Sequence, residues 1–255
     1  PNSTETEMQL NETKAIVTGG VKGLGRAIVD NLLAKKAQVA VIDLDKSGLK
    51  ALQEELPHVQ VFECDLTSPE QVQNTLEDLV QTFGSPQILV NNAGFLYSSP
   101  LLSIGPQVKA HSPEMWDKVI SANLSSVFYL TSCVVEKMVT TRTKGVVVNI
   151  SSVSARGNAG QSAYSAAKAG VNALTAVWAK ELSPMGIRFV AVSPGYSDTS
   201  STHEALSESS LKQIVKEVPL RRLGKAEEIA AGVLAVIEND FFNGKVIELD
   251  GGLIV

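Results

Sequence analysis

The stretch KAIVTGGVKGLG, residues 14–25, decides the fold of this chain. Residues 14–17 form a short, mainly apolar run that favours a buried β-strand, and a loop with four glycines follows it directly. Residues 26–35 then show a helical pattern. A glycine loop between a strand and a helix lets the backbone approach a ligand and leaves the first N–H groups of the helix exposed. The stretch therefore predicts the start of an α/β fold.

The same alternation of short apolar runs and helical patterns continues along the chain. Seven runs predict strands: 14–17, 38–42, 59–62, 87–90, 145–150, 187–192 and 245–249. Six of them are nearly continuous in apolar residues, which indicates strands that are covered on both faces. The sequence therefore predicts an α/β, Rossmann-like fold. We expect a doubly wound, seven-stranded parallel sheet with helices on both faces, in three αβα layers.

The domain organisation follows from where this alternation holds. No Gly/Ser-rich linker or repeat divides the chain, which predicts a single domain over residues 8–255 after a disordered tail at residues 1–7. Residues 98–112 and 197–210 do not fit the alternation and are predicted to be long loops. Because long loops in compact domains often bind ligands, we assign the substrate loop to about residues 197–215.

Composition argues against several classes of protein. Of the 255 residues, 44% are hydrophobic and 19% are charged, as in an ordinary globular protein. The net charge of −5 and the lack of clustered Lys and Arg argue against nucleic acid or an anionic membrane as a partner. No apolar run approaches the roughly 18 residues that span a bilayer, so we expect no membrane association.

The cysteines and histidines indicate in which redox compartment the protein works and whether it binds a metal. Cys64 and Cys133 lie far apart in apolar stretches, which favours buried free thiols over a disulfide and fits a cytoplasmic protein. The three histidines show no paired spacing among themselves or with cysteine. The sequence therefore predicts no metal site.

The glycine loop is the first candidate binding site. Gly19, Gly23 and Gly25, with Lys22 and Leu24 between them, would hold a pyrophosphate against exposed N–H groups and the helix dipole. Their spacing differs from the usual G-x-G-x-x-G fingerprint of dinucleotide-binding proteins, and a simple turn is the alternative for the loop taken alone.

Asp43 makes the dinucleotide interpretation stronger. It ends the second predicted strand, 18 residues after Gly25, where an acidic ligand of the adenosine ribose belongs. Its carboxylate would accept hydrogen bonds from the ribose hydroxyls and repel a 2′-phosphate, so the sequence favours NAD. NADP stays possible because Lys22 could pair with that phosphate.

Two further strand ends carry candidate cofactor contacts. Asp65 follows the third strand and would bind the adenine amino group, and the fourth strand ends in small and amide residues that let a flat ligand pass close to the backbone. Each residue taken singly also fits a cap or a turn. The other residues predicted to bind the cofactor at these strand ends are Leu44 after Asp43, Leu66 after Asp65, and Asn92, Ala93 and Gly94 after the fourth strand.

Several motifs stand in a fixed order along the chain: residues 18–25, residues 91–94, Ser151, Tyr164 with Lys168, and Pro194 with Gly195. In this order and approximate spacing, over nearly all of residues 8–255, the chain resembles the short-chain dehydrogenase/reductase family. The most specific part is a serine 13 positions before a Tyr-x-x-x-Lys motif. The resemblance implies a hydride transfer between a nicotinamide cofactor and a secondary alcohol or ketone.

The chemistry of the Tyr-x-x-x-Lys motif can be argued from the residues. Tyr164 and Lys168 are four apart in a helical stretch, so their side chains share one face. A phenol has an ordinary pKa near 10, and a nearby ammonium with the positive nicotinamide ring would lower it, so that Tyr164 becomes a general acid and base. Ser151 follows the fifth strand and would hold the reacting oxygen by a hydrogen bond.

The resemblance adds roles that the residues alone do not establish. It implies that Lys168 also binds the nicotinamide ribose and that Asn123 maintains a proton relay through water. It places Pro194, Gly195 and Thr199 against the nicotinamide carboxamide. Ser197 departs from the family pattern, in which a branched apolar residue is commoner at this position.

Substrate and partners are less defined. Val153, Ala155, Leu206 and Phe95 suggest a partly apolar pocket for a small, neutral alcohol or ketone, and the length of segment 98–112 weighs against a 3-oxoacyl substrate without excluding it. The small residues of helix 162–182 favour a homodimer or homotetramer, with close packing inside one chain as the alternative. The competing function is a catalytically silent, cofactor-sensing or scaffolding protein on the same fold. The intact Tyr164 and Lys168 pair favours the enzyme.

Overall fold

The computed structural model describes residue 8 and residues 10–253. Seven strands form one parallel sheet: β1 (Lys14–Thr18), β2 (Gln38–Asp43), β3 (Gln60–Glu63), β4 (Ile88–Asn91), β7 (Gly145–Ile150), β8 (Ile187–Pro194) and β9 (Lys245–Leu249). Their order across the sheet is β3-β2-β1-β4-β7-β8-β9. The predicted fold is confirmed, with strand ends shifted by at most two residues. The prediction for residues 1–7 lies outside the described residues.

Helices cover both faces of this sheet. Their bounds are α1 (Gly23–Ala34), α2 (Lys46–Glu55), α3 (Pro69–Phe83), α4 (Pro113–Ile120), α5 (Ser126–Thr140), α6 (Ser162–Leu182), α7 (Ser200–Ala205), α8 (Glu208–Glu217) and α9 (Ala226–Glu238). A π-helical turn, Ser121–Ser125, joins α4 to α5, and short 3-10 turns occupy Val153–Arg156 and Ser183–Met185.

Alternate residues of the central strands face different cores. On β1, Ala15 and Val17 pack with α1 and α9, whereas Ile16 packs on the opposite face with α3, α5 and α6. All three side chains are completely buried. Because both faces of the strand are covered, both sets of residues must be apolar, which explains the continuous apolar runs.

The strand order produces a crevice at one edge of the sheet. After β3 the chain crosses back and adds β4 on the other side of β1, so the connections that leave β1 and β4 diverge. Open α/β sheets bind ligands outside the carboxyl ends of the strands at such a switch point. The residues that follow β1, β2, β4, β7 and β8 therefore meet at one place.

A buried polar chain ties two helices to the middle of the sheet. Asn91 at the end of β4 donates hydrogen bonds to Thr131 of α5 (2.9 Å) and to Oδ1 of Asn149 in β7 (2.8 Å). Asn149 in turn donates to Oγ1 of Thr175 in α6 (2.9 Å). Since every partner is buried and paired, breaking one bond would leave an unsatisfied polar group in the core.

The two predicted long loops are not simple loops. Segment 98–112 contains a two-stranded antiparallel hairpin, β5 (Leu102–Ser103) and β6 (Lys109–Ala110). In segment 197–210 the helices α7 and α8 begin, and the Thr199 and Ser207 side chains accept hydrogen bonds from the backbone N–H groups of Thr202 and Ser210. The loop prediction was wrong there because Ser and Thr serve as helix caps.

The expectation that no apolar stretch reaches membrane-spanning length also needs correction. The continuous helical stretch Pro113–Thr140 is long and apolar enough to cross a bilayer, judged by length and composition alone. Its α5 part contributes buried side chains such as Leu130 and Val134 to the core under the sheet. Core helices commonly have this composition, so the stretch is weak support for a membrane span.

Phe189 of β8 offers a test of the core. Its side chain is completely buried, and its ring centroid lies 5.7 Å from that of Trp178 in α6. We expect Phe189→Ala to lower the free energy of unfolding by about 3–5 kcal/mol, because a cavity replaces a well-packed ring. Phe241→Ala, at a side chain that is 98% exposed, is the control and should change it by less than about 0.5 kcal/mol. Urea denaturation measures both, and equal losses would contradict this packing.

Candidate active site

One cleft of about 670 Å³ lies at the carboxyl ends of the strands. The predicted site residues that line it are Gly19, Lys22, Gly23, Leu24, Gly25, Asp43, Leu44, Asp65, Leu66, Asn92, Ala93, Gly94, Asn123, Ser151, Tyr164, Lys168, Pro194, Gly195 and Thr199. These are all the residues that the sequence assigned to catalysis or cofactor binding. The fold therefore brings residues from eight separate parts of the chain to one surface.

The glycine loop forms one end of the cleft and opens α1. Gly23, the first residue of α1, has φ +57°, and a Cβ built on it would meet only the Thr199 side chain, at 3.9 Å. No side chain of the described residues caps this helix, and its first turn contains no acidic residue. The first N–H groups of α1 and the positive end of its dipole thus face the cleft without a protein anion, as a bound pyrophosphate requires. The residues present fit a dinucleotide.

Thr18 and Asn92 join this loop to the end of β4. The Thr18 hydroxyl accepts hydrogen bonds from the backbone N–H groups of Asn92 (3.0 Å) and Ala93 (2.9 Å). The Asn92 side chain donates to the carbonyl oxygens of Thr18 (3.0 Å) and Gly19 (3.1 Å). Asn92 is therefore held against the glycine loop, and its amide has a structural task as well as a place in the cleft.

Asp43 lies at the end of β2, beside the glycine loop. Its carboxylate accepts hydrogen bonds from the backbone N–H groups of Val21 (3.4 Å) and Asp45 (3.0 Å), which fixes its position at the cleft. Lys22 is close enough to Asp45 for its charge to help lower the pKa of that carboxyl, after the larger effect of the Ser47 hydroxyl. The Lys22 cation thus already has an acidic neighbour.

Asp65 is organised by its own turn. Its Oδ1 accepts hydrogen bonds from the backbone N–H (2.9 Å) and the hydroxyl (2.7 Å) of Thr67. Thr67 and the buried Cys64 also line the cleft, although the sequence had not pointed to either as a cofactor contact. This part of the cleft lies next to Asp43, where an adenosine would sit.

Tyr164 and Lys168 form the opposite part of the cleft. Lys168 is 4% exposed, its Nζ donates to the Ile150 carbonyl (2.8 Å), and the same atom lies 5.7 Å from the centroid of the Tyr164 ring. Burial lowers the pKa of Lys168 to about 8. Their placement on one face of α6 agrees with the spacing argument.

The pKa of Tyr164 differs from the expectation. In the protein chain alone, burial raises it to about 12, the charge of Tyr196 also raises it, and the Ser152 hydroxyl offsets part of this increase. The neighbouring Lys168 therefore does not make this phenol acidic without help. The expected lowering relied on the positive nicotinamide ring as well as on the cation, and burial of the phenol acts against both charges.

Ser151 directly follows β7. It is buried, lines the cleft, and its hydroxyl makes a long hydrogen bond of 3.4 Å to the Lys168 carbonyl oxygen. So weak a contact leaves the hydroxyl available for a stronger partner. Ser151 thus presents a donor in the same part of the cleft as the Tyr164 phenol.

Asn123 projects from the π-helical turn between α4 and α5. Its side chain is completely buried, and its Nδ2 donates to the carbonyl oxygens of Phe95 (3.1 Å) and Val119 (3.0 Å). Among the described residues, its Oδ1 has no hydrogen-bond partner although it is buried. A buried carbonyl oxygen of this kind needs a donor, and water or a bound ligand can supply one.

The substrate side of the cleft agrees only in part with the sequence. Val153 and Phe95 line it as expected, but Ala155 and Leu206 are not among the lining residues. Tyr196 also lines the cleft, although it was not among the predicted site residues. Its position directly after Pro194 and Gly195, at the end of a parallel strand, was a signal that could have identified it.

Comparison with known proteins agrees with this arrangement. The family model described as enoyl-(acyl carrier protein) reductase matches residues 19–254. The 3-oxoacyl-[acyl-carrier-protein] reductase FabG of Thermotoga maritima is 37% identical over 97% of this chain and 100% of its own length. FabG of Salmonella typhimurium is 35% identical over 94% of this chain and 96% of its own length. The human 3-hydroxyacyl-CoA dehydrogenase type-2 is 35% identical over 94% of each chain.

These matches extend over nearly the whole chain and include the glycine loop, the strand ends and α6. The chain belongs to the short-chain dehydrogenase/reductase family. It is an NAD(P)-dependent oxidoreductase that acts on CH–OH groups.

Gly23 provides a test of the cofactor end of the cleft. A methyl group at this position would project towards the space of the pyrophosphate, so we expect Gly23→Ala to weaken NADH binding by about tenfold or more. Gly160→Ala is a matched control, since Gly160 also has a positive φ (+79°) with open space around it but does not line the cleft. Fluorescence titration with NADH measures both affinities. If both variants bound NADH with the same reduced affinity, strain at a positive φ would explain the loss, and the expectation that the methyl group blocks the pyrophosphate would be wrong.

Proposed function

We propose that Tyr164 is the general acid and base of this oxidoreductase, with Lys168, Ser151 and Asn123 as its helpers. The observation that carries the proposal is the buried Lys168 ammonium 5.7 Å from the Tyr164 ring, in the cleft that also holds the glycine loop. Burying a cation without a carboxylate partner is costly, and such a cost is commonly found at functional sites.

In the oxidation direction, the Tyr164 oxygen would accept the proton of the substrate alcohol, and in reduction it would return that proton to the ketone oxygen. The Ser151 hydroxyl donates a hydrogen bond to the same substrate oxygen, and this bond strengthens as negative charge develops there. The nicotinamide ring, when bound, supplies the hydride acceptor or donor and, in its oxidised form, a positive charge next to the phenol.

The pKa directions explain why the site needs more than one positive charge. Burial is the main cause that raises the pKa of Tyr164 to about 12, far above neutral pH. Lys168, with a pKa of about 8, is still mainly protonated at pH 7, and its charge favours the phenolate. Asn123 Oδ1 would hold a water that carries the proton between the site and solvent.

Tyr164→Phe tests the proposal directly. We expect turnover of a secondary alcohol or ketone to fall by at least about 100-fold, because the proton acceptor is lost, while NADH still binds. Tyr129→Phe, on α5 and away from the cleft, is the control and should keep its activity. Steady-state assays of NAD(P)H absorbance and a separate NADH titration measure the two effects, and turnover near the wild-type rate in Tyr164→Phe would disprove the assignment.

We further propose that NAD is the preferred cofactor and that NADP is used less well. Asp43 places a carboxylate where the ribose hydroxyls would bind, and a 2′-phosphate there would meet its negative charge. Lys22 and Lys168 are the only basic residues among the described residues that line the cleft. The balance of charge around this ribose therefore favours a cofactor without a third phosphate.

Asp43→Asn tests this preference. Removing the negative charge while keeping the size of the side chain should lower the ratio of kcat/KM for NAD to that for NADP by about tenfold, since one repulsion and one charged hydrogen bond are lost. Asp65→Asn, at the adenine side, is the matched control and should change the ratio less. A wild-type protein with a higher kcat/KM for NADP than for NAD would contradict the assignment.

The substrate we propose is a neutral ketone or secondary alcohol with an apolar part. Val153 and Phe95 line the cleft and support this choice. The names of the relatives add a chemical class, since one acts on a 3-oxoacyl group and another on a 3-hydroxyacyl group. A 3-oxoacyl compound or a ketone like it is thus the best candidate.

Self-association is proposed from the outer surface of α4, α5 and α6. Trp116, Phe128 and Val177 are large apolar side chains that are each about half exposed there. Adjacent exposed apolar groups of this kind often mark an interface. A homodimer or homotetramer that pairs these helices would cover them.

A further inference from the structure

A second phenol lies in the active-site cleft. Tyr196 follows β8, lines the cleft, and accepts a hydrogen bond of 2.7 Å from Nδ2 of Asn158 through its hydroxyl oxygen. Tyr164 lines the same cleft, and an ionised Tyr196 would help to raise the pKa of Tyr164, after the larger effect of burial. The mechanism proposed above leaves Tyr196 without a task.

A chain of amides sets the direction of the hydrogen bond to Tyr196. Nδ2 of Asn158 also donates to Oε1 of Gln161 (3.4 Å), and Nε2 of Gln161 donates to the Ser98 hydroxyl (3.2 Å). Both hydrogens of the Asn158 amide are therefore used as donors. Because the Tyr196 oxygen accepts one of them, its own O–H is left to donate elsewhere. Within the described part of the chain, no acceptor receives it.

Apolar side chains cover part of Tyr196, and after the larger effect of burial the Glu217 carboxylate helps to raise the pKa of its phenol. Its ring packs against the cluster of Val153, Val218 and Leu253, with Ile214 of α8 beside them. A polar donor beside apolar side chains is a common means by which a binding pocket fixes the orientation of a ligand. The donor lines the same cleft as Tyr164, which handles the reacting oxygen, so it would meet a different oxygen of the same substrate.

We propose that Tyr196 is a specificity-determining residue that donates a hydrogen bond to a second oxygen of the substrate, on a carbon one or two bonds from the reacting carbon. The substrate class is thus a 1,2- or 1,3-dioxygenated ketone or alcohol, such as a diketone or a 3-oxo ester, and not a simple ketone. The inference rests on the proposed function, because it assumes that Tyr164 handles the reacting oxygen.

The test compares pairs of ketones that differ in the second oxygen. Ethyl 3-oxobutanoate and 2-heptanone have chains of equal length and represent the 1,3 class, and butane-2,3-dione and 2-butanone represent the 1,2 class. For one of the pairs, Tyr196→Phe should lower the ratio of kcat/KM for the dioxygenated compound to that for the simple ketone by about 5- to 30-fold, as expected for one lost hydrogen bond. The pair that responds identifies the distance between the two oxygens.

A loss of packing would lower both rate constants of a pair and leave their ratio unchanged. Asn158→Asp gives a second measurement, because a carboxylate in place of the amide would accept the Tyr196 proton and should lower the same ratio. Tyr129→Phe is the control and should keep the wild-type ratio. If the wild type reduces the ketones but neither ratio changes in Tyr196→Phe, the inference is wrong and the proposed function stands. If the wild type reduces none of the four compounds, both are overturned.

Discussion

The site depends on a positive charge that the fold keeps out of water. Lys168 is nearly completely buried, and the Ile150 carbonyl is its direct hydrogen-bond partner among the described residues. That contact exists only while α6 stays in position against β7, and the buried chain from Asn91 through Asn149 to Thr175 holds it there. The hydrogen bonds of Asn149 and Thr175 and the hydrogen bond from Lys168 to the end of β7 thus have the same effect. Both keep one face of one helix in register with the sheet.

The cofactor half follows a different physical rule. At the start of α1 the protein offers N–H groups and the positive end of a helix dipole, with no acidic residue in the first turn of the helix. At the end of β2 it offers the opposite, a carboxylate held by two backbone N–H groups. A dinucleotide has a negatively charged pyrophosphate in its middle and ribose hydroxyls at its adenosine end. The N–H groups of α1 therefore match the pyrophosphate, and the carboxylate matches the ribose hydroxyls. The switch point of the strand order makes them neighbours.

Much of this could be predicted from the sequence because parallel strands leave a clear pattern. The seven strands were found within two residues of their ends, since a strand that is buried on both faces must be apolar throughout. Most of the cofactor residues were found because they follow those strands directly, whereas Tyr164, Lys168 and Asn123 lie on helical segments and were found from a motif and a family resemblance. The loop prediction for residues 197–210 was wrong because Thr199 and Ser207 were taken as loop residues and not as caps. The pKa of Tyr164 could not be predicted, since it depends on how completely the folded chain removes water from the phenol.

The π-helical turn at Ser121–Ser125 makes chain length as important as residue identity in this part of the protein. A π turn holds one residue more than an α turn, and each residue rotates an α-helix by about 100°. Removing one residue between α4 and α5 would restore a regular helix, turn Asn123 away from Phe95, and shift every α5 side chain around its axis. Point substitutions at the exposed positions leave this geometry intact. Related chains should therefore vary here by exchange of residues and seldom by insertion or deletion.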